Sequence, residues 1–480
     1  MIVEIKREAV PTLPSVSRGT IAMPADWTFR PSDLSNSQIF AALARGRILY
    51  VPELKSWIKY DGTRWVKDSQ RVEVENICVE AIQAIYALSA AAETEQARKT
   101  YAAWALRSED ESRRRAMVAG AERVAVLVKP LSHFDRDIYL FNCQNGTLDL
   151  KTGDLRPHRE DDYLMHIGGT CYDPNAECPL WKDTIQKAFQ GDAETIEFYQ
   201  RFSGYTLTGH VMEKVIVFLY GAKGDNGKTT ITNAEAEVCG DYHMKLSAST
   251  LLAGSRRDPG APSEDLARIA GKRRITASEL PEGARWNDSL LKDLSGGDSI
   301  NARHLRAESF DFTPQAKLVI FGNHKPSVRG GDGAVRNRLR LIPFNHVFRP
   351  KDRNMPEKLR AEYPGILRWM VEGCLKWRAS HGLGEPGVVA RETDAYFLEN
   401  NHLKQFMDDR FELSENEKVP FKQVYEDFRE FTGSTKLSKV KFSQILQDQY
   451  PVHVAAGTGN ERYIYGIQPK GDTWLEELPL

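Results

Sequence analysis

Several absences narrow what this 480-residue chain can be. It has no run of 18 apolar residues, and its first residues lack the basic-then-apolar order of a secretory signal. A helical membrane protein and a secreted one are both excluded, and a soluble cytoplasmic protein is expected. Cysteine is scarce: Cys78, Cys143, Cys171, Cys178, Cys239 and Cys374 form no C-x-x-C pair. Cys171 and Cys178 stand too far apart for a zinc knuckle, so reduced thiols are expected and not a disulfide framework or a cysteine-held metal. Net charge is almost missing too, at −1. Any grip on a polyanion must then come from local basic surfaces and not from an overall field. There is no internal repeat and no low-complexity tract. With 41% hydrophobic and 27% charged residues the chain reads as globular, with room for about two to four domains.

Along the chain, residues 1–32 carry Pro11, Pro14, Pro24 and Pro31 without apolar periodicity and read as a flexible leader. Residues 33–210 read as mainly helical. A hairpin turns at Asp61-Gly62, residues 72–128 form helices, short strands surround Asn145, and two helices are divided by Gly191-Asp192. Within this stretch Arg113-Arg114-Arg115 reads as a solvated face, and Asp135-Arg-Asp137 as surface charge. Residues 211–350 alternate strands and helices, an α/β pattern built on a parallel or mixed sheet. Residues 351–400 comprise an apolar lid helix (364–377) and a charged linker (385–402). Residues 401–470 hold helices and a strand pair around Gly457-Thr-Gly-Asn460, as in a small winged-helix module, and 471–480 form a tail.

The chemistry concentrates in residues 215–230. The apolar, β-rich run Val215-Ile-Val-Phe-Leu-Tyr220 ends at Gly221-Ala-Lys-Gly-Asp-Asn-Gly-Lys-Thr-Thr230, after which helix-compatible residues follow. Strand, glycine-rich loop and helix are what a phosphate cradle needs, because amides at a helix start surround a polyphosphate. Ala222, Gly224, Asp225, Asn226, Gly227, Lys228, Thr229 and Thr230 are the candidate ATP contacts. Lys228 reaches the β and γ phosphates, and the Thr229 hydroxyl sits on Mg²⁺. Ala222 stands where the motif's usual first glycine would be.

Further on, Arg274-Ile-Thr-Ala-Ser-Glu279 reads as a strand ending on an acid, which suits Mg²⁺ and the attacking water. Glu279 is the candidate and Glu282 the fallback. Leu318-Val-Ile-Phe-Gly-Asn323 is a second apolar strand, ending on an amide that either senses the γ phosphate or caps the turn. Arg336, Arg338 and Arg340 cluster without nearby acids in sequence, as suits a finger against phosphate. Between acid and amide, alternation on either side of His304 predicts a hairpin projecting Arg303, His304 and Arg306, a basic tip fit for a sugar-phosphate backbone. In the last module Lys439 and Lys441 start a helix suited to DNA, although such modules also dock proteins.

Lys228 precedes Glu279 by 51 residues, Asn323 by 95 and Arg338 by 110. This compact set resembles a superfamily 3 helicase, most of all the helicase half of phage, plasmid and poxvirus-type primase-helicases. The matching motifs are Gly224-Asp-Asn-Gly-Lys-Thr229, Ala277-Ser-Glu279, Leu294-Ser-Gly-Gly-Asp298, Gly322-Asn-His-Lys-Pro326 and Arg338-Leu-Arg-Leu-Ile-Pro-Phe344. The resemblance covers roughly 33–470 and is most specific over 218–344. It implies an AAA+-like P-loop NTPase core, a helical N-terminal domain and a C-terminal winged helix. It also implies a ring-shaped hexamer on single-stranded DNA that hydrolyses ATP with Mg²⁺ between subunits. Carried over by position, Lys228 and Thr229 bind ATP and Mg²⁺, Glu279 is the acid, Asn323 the sensor and Arg338 the finger. Arg303 and His304 lie at the family's DNA-tracking hairpin. Arg336-Asn337 replaces the Trp-Arg found in many relatives, which leaves the finger open among the three arginines. A primase domain does not fit the chain's length, so a separately encoded primase is expected. The expected function is a replicative helicase of a phage, prophage or satellite element acting on replication-fork DNA. The alternatives are an origin-melting initiator and an oligomeric NTPase of defence or signalling.

Overall fold

The computed structural model describes residues 27–253, 264–278, 281, 284–303, 309–326, 333–432, 437–457 and 461–470. The leader and the tail expected at the two ends, apart from residues 27–32, lie outside these. The chain divides into two compact units: Met1–Asp137 with Pro157–His166, and Ile138–Arg156 with Ile167–Leu480. The expected boundary at residue 210 does not coincide with this division.

In the first unit, α1 (Asp33–Ala44), the strands β1 (Ile48–Val51), β2 (Ser56–Tyr60) and β3 (Trp65–Lys67), and then α2 (Val72–Ala90), α3 (Glu95–Ser108) and α4 (Glu111–Ala121) follow in order. Polar caps set the helix starts. Ser32 accepts the Ser35 amide, Asp68 accepts the Glu73 and Val74 amides, and Thr94 accepts the Ala97 amide. Ile39, Phe40, Ile77, Ile85, Met117 and Val118 close the core between the helices. Inside it Asn36 donates to Ser108 Oγ and accepts Trp104 Nε1–H, each at 3.0 Å, so its buried amide is satisfied. The turn at Asp61 forms as expected, with its Oδ1 accepting the Thr63 and Arg64 amides. The arginine run 113–115 is neutralised locally by Asp33, Glu75 and Glu111. Asp135 corrects an expectation. It is buried, with its carboxylate accepting the Met165 amide at 3.2 Å and facing His166 Nδ1 at 2.9 Å, and is not surface charge.

The second unit opens with an antiparallel meander, β4 (Leu140–Cys143), β5 (Gly146–Asp149) and β6 (Asp154–Arg156), then α5 (Pro179–Ala188) and α6 (Ala193–Tyr205). There follow β7 (Ile216–Tyr220), α7 (Lys228–Cys239), β8 (His243–Ser247), α8 (Ala248–Leu251), α9 (Glu264–Ala267), β9 (Arg274–Ser278) and α10 (Asp288–Gly296). The hairpin β10 (Ile300–Arg303) and β11 (Ser309–Phe312) precedes β12 (Lys317–Gly322), α11 (Gly333–Arg338) and β13 (Leu339–Pro343). Five of these strands form one sheet in the order β13-β7-β12-β9-β8, every pair parallel. Its central strands, Ile-Val-Phe-Leu of β7 and Leu-Val-Ile of β12, are buried on both faces, which is why they read as unbroken apolar runs instead of alternating.

After the sheet come α12 (Met355–Ala361), α13 (Tyr363–Ala379), α14 (Gly387–Arg410), β14 (Phe411–Pro420), α15 (Phe421–Thr432), α16 (Lys439–Gln449), β15 (His453–Ala456) and β16 (Arg462–Pro469). The expected lid helix is α13, and it is a core element crossing α6. A Cβ on Gly204 would lie 2.1 Å from the Cys374 amide nitrogen, so two backbones meet where only glycine fits. From Gly387 on, the charged linker expected over 385–402 is instead part of α14. Val389, Thr393, Tyr396, Leu403 and Met407 recur at helical spacing and are buried, while Arg391, Asp394 and Lys404 between them are exposed. Thr393 Oγ1 accepts the Leu341 amide at 3.0 Å, which covers the β13 edge of the sheet. The last module has three antiparallel strands, β14-β16-β15, where a pair was expected. The Thr458-to-Asn460 part of its glycine turn lies outside the described residues.

Candidate nucleotide site

Because the five strands are parallel, their carboxyl ends share one edge. At β7 the chain leaves toward β8 on one side and returns as β13 on the other, the kind of switch point where α/β sheets bind ligands. Residues 221–227 leave β7 there, with the Gly221 amide bonded to the Gly322 carbonyl that ends β12. Gly227 takes φ +83° and Asp225 φ +55°, so the loop turns sharply before α7 begins at Lys228. The first bond inside α7 runs from Ile231 N–H to Gly227 O. The amides ahead of it point out of the helix at its positive end, an arrangement that favours an anion.

Lys228 is only 5% exposed. Its ammonium donates to Gly221 O at 2.9 Å and to Asn323 Oδ1 at 3.0 Å. Burial pulls its pKa down to about 8. A buried cation at a positive helix end, held by neutral acceptors, is stabilised by an incoming polyanion. The loop and the lysine therefore fit a triphosphate. Asn226 is also buried, and its amide donates to Lys223 O at 2.8 Å and Phe344 O at 3.3 Å. Ala222, Gly224, Asp225 and Thr229 are exposed, and Thr230 is half-buried. Asn323 thus comes together with Lys228 across 95 residues, and the next lysine, Lys325, lies 4.6 Å over the Tyr220 ring.

Other expected residues fall in different places. Glu279 and Glu282 lie outside the described residues; Ser278, just before Glu279, ends β9 at the same edge, in register with Phe321 of β12. Among the described residues no group of three or more His, Cys, Asp or Glu side chains could hold a metal. Arg303 ends β10 opposite Ser309, whereas His304 and Arg306 lie outside the described residues. Lys439 is exposed at the start of α16, 5.6 Å from the Tyr425 ring, and Lys441 donates its amide to Ser438 Oγ.

The three arginines separate. Against expectation two are balanced by acids: Arg336 by Asp394 at 2.7 Å and Arg340 by Glu385 at 3.2 Å. Arg338 has no carboxylate partner among the described residues and donates to Ala334 O at 2.9 Å. It immediately precedes β13, so it lies at the amino-terminal edge. One strand of five residues, roughly 16 Å, separates it from the edge that carries the loop.

One part of the site carried no signal in sequence. Residues 344–351, leaving β13, form a strap over the loop. Phe344 N–H donates to Tyr220 O at 2.6 Å, Phe348 N–H to Asp225 O at 2.9 Å, and Lys351 Nζ to Asp225 Oδ1 at 2.7 Å. A Cβ on Gly227 would meet Phe348 Cε2 at 2.7 Å, which requires glycine there on a second ground. These contacts span about 120 residues, beyond the reach of local patterning.

Comparison with known proteins finds two matching families and several similar viral proteins. Residues 37–190 match the family described as D5 N terminal like, and residues 219–338 match a family of unknown function (DUF5906). The chain is similar to the protein named "Putative helicase L207/L206" of Acanthamoeba polyphaga mimivirus, 26% identical over 342 residues that cover 66% of this chain and 35% of that one. It is similar to "Putative helicase 022R" of Frog virus 3, 26% identical, covering 51% of this chain and 27% of that one. "Putative primase C962R" of African swine fever virus is 24% identical, with coverages of 47% and 24%. The chain thus spans little more than a third of these relatives' length, or less. Among solved structures the NrS-1 C-terminal region aligns over 91% of this chain and all of that one, at 10% identity and a TM-score of 0.46.

Proposed function

This chain belongs to the D5-like primase-helicase family, and from that premise we propose that it is an ATP-dependent DNA helicase of superfamily 3. In this reading an AAA+-like P-loop core works as a ring oligomer, a hexamer by resemblance, and moves along single-stranded DNA during replication of a phage, prophage or satellite element. The observation that carries it is the buried Lys228 ammonium, held by Gly221 O and Asn323 Oδ1 at the start of α7.

Lys228 and the amides of residues 224–230 hold the β and γ phosphates, while Thr229, with Glu279 through water, holds Mg²⁺. When bound there, Mg²⁺ would supply charge neutralisation to the polyphosphate. Asn323, freed from Lys228 as phosphate takes the ammonium, orients water against the γ phosphate. Arg338 stands a strand length from its own loop and is proposed to complete the pocket of an adjoining subunit. Arg303, His304 and Arg306 grip the DNA backbone. The three-stranded C-terminal module acts as a winged helix, with Lys439 and Lys441 on phosphates. Lysines at a helix start oppose the helix dipole, so their placement there favours an anionic partner over helix stability.

The test is ATP hydrolysis with and without single-stranded DNA, for the wild type and for Arg303→Ala/His304→Ala. The wild type is expected to be stimulated by DNA and the variant not. Equal stimulation in both would remove the hairpin from translocation. No stimulation in either would favour a defence or signalling NTPase, and melting of origin DNA without strand displacement on a fork would favour an initiator.

A further inference from the structure

We infer that the nucleoside end of the triphosphate lies along the 344–351 strap, where His346 and Phe348 form its nucleobase platform. This rests on residues 221–230 being the triphosphate site, and it follows from the polarity of that site. The lysine of a phosphate loop meets the β and γ phosphates. Lys228 Nζ is bonded to Asn323 Oδ1, so the γ end of the triphosphate faces β12. The α phosphate and the nucleoside must then extend away from β12. In the order β13-β7-β12, the strand on that other side of the loop is β13, and what leaves β13 is the strap.

The strap is built as a wall and not as a passing loop. Its backbone is tied to Tyr220 O by Phe344 and to Asp225 O by Phe348, and Asn226 Nδ2 reaches the Phe344 carbonyl. The Lys351–Asp225 pair closes its far end. Between these ties stand two half-buried rings. Phe348 is fixed against the Cα of Gly227, one residue before Lys228, and His346 meets it edge to face at a centroid distance of 4.7 Å. A base stacking beside them would be covered on one side by aromatic surface that is already immobilised, so little ordering cost remains to be met on binding.

Calorimetric titration of the full-length protein with two magnesium complexes, of a slowly hydrolysed ATP analogue and of inorganic tripolyphosphate, separates the two ends of the ligand. His346→Ala and Phe348→Leu are each expected to weaken the ATP analogue about tenfold while leaving tripolyphosphate within about twofold. If Phe348→Leu disturbs the loop and weakens both ligands, selective loss of the ATP analogue in His346→Ala still supports the platform. Unchanged ATP-analogue affinity in both variants, or parallel loss of both ligands in both, overturns it. Lys228→Met should weaken both ligands together. If it weakens neither, the phosphate-loop reading itself falls, and the platform with it.

Discussion

Lys317 opens β12 and Lys228 follows β7, so the same parallel sheet buries one lysine at each of its edges. Both have pKa values pulled down by burial, Lys228 to about 8 and Lys317 well below the ordinary lysine value, the latter with Arg273 adding to the shift. Their surroundings are opposite. Lys317 donates to Thr208 O and Gln315 O and lies 4.9 Å over the Tyr205 ring, just beyond α6, whose last carbonyls make a negative helix end. Beside it Arg273 donates to Leu207 O, and Arg274 pairs with Glu235 of α7, which also accepts from Tyr199 and Ser203. Around Lys317 the cations thus meet backbone carbonyls and one carboxylate of the same chain. Lys228 also has two neutral acceptors, but it stands at a positive helix end. Burial and a shifted pKa alone do not separate structure from function here; the sign of the nearest backbone dipole does.

The largest effect expected at either edge comes from Arg338. Arg338→Ala should slow hydrolysis by about a thousandfold or more, as loss of an arginine finger does. Arg336→Ala, which breaks an exposed ion pair, should change stability by at most about 1 kcal/mol. With Arg338 a strand length from its own loop and proposed to serve the neighbour's pocket, an equal mixture of Arg338→Ala and Lys228→Met subunits should regain about a quarter of wild-type hydrolysis, through pockets that pair an intact lysine with an intact arginine. Two inactive variants that stay inactive on mixing would place Arg338 outside the neighbour's pocket. Lys228→Met alone should cost hydrolysis roughly 10²–10³-fold and leave the thermal midpoint unchanged or higher. Lys317→Met should leave nucleotide affinity intact. A Lys317→Met protein that folds normally yet binds no nucleotide would erase the contrast between the edges.

Glu235→Gln tests the Lys317 edge directly. Arg274 is fully buried, and removing the charge of its partner leaves it uncompensated, at a cost of about 3–5 kcal/mol in denaturant unfolding. Replacing the pair with Glu235→Met/Arg274→Leu should recover much of that loss, because paired burial of charge is offset by its own desolvation. A double variant less stable than the single one would mean that the pair contributes net stability of its own.

What could be read in advance divides along physical lines. Strand and helix at the phosphate loop, the Asn323 strand end and the β10–β11 hairpin were legible because each is carried by local periodicity or a turn residue. Helix α14 was not, because its buried residues are spaced by charges and the β13 edge that Thr393 meets lies 52 residues away. Asp135 was misread because a carboxylate looks the same in sequence whether or not His166 waits 31 residues away. The strap over the loop left no trace, since Phe348 and Gly227 meet only once the sheet has formed. Which of the three arginines pair with acids could not be read in sequence, because Asp394 and Glu385 lie 45 or more residues downstream.

The smallest effect is one of pH, and it again sets the two lysines apart. With Lys228 near 8 in the free site, a bound polyanion favours the charged ammonium and raises its pKa. Nucleotide affinity should therefore be level below about pH 8. Above it the free site must take up a proton to bind, and affinity should decline by up to about tenfold per pH unit until the bound-state pKa is reached. Stability of the free protein runs the other way. Between about 8 and the ordinary lysine value the unfolded chain holds more protons at this position than the folded one, so the Lys228 contribution to stability rises with pH there. Lys228→Arg keeps its charge throughout and should flatten the affinity profile, whereas Lys317→Met should leave the decline in place. A profile as steep in Lys228→Arg as in the wild type would assign the titration to another group. It would also remove the reason for treating the Lys228 edge as the one that waits for an anion.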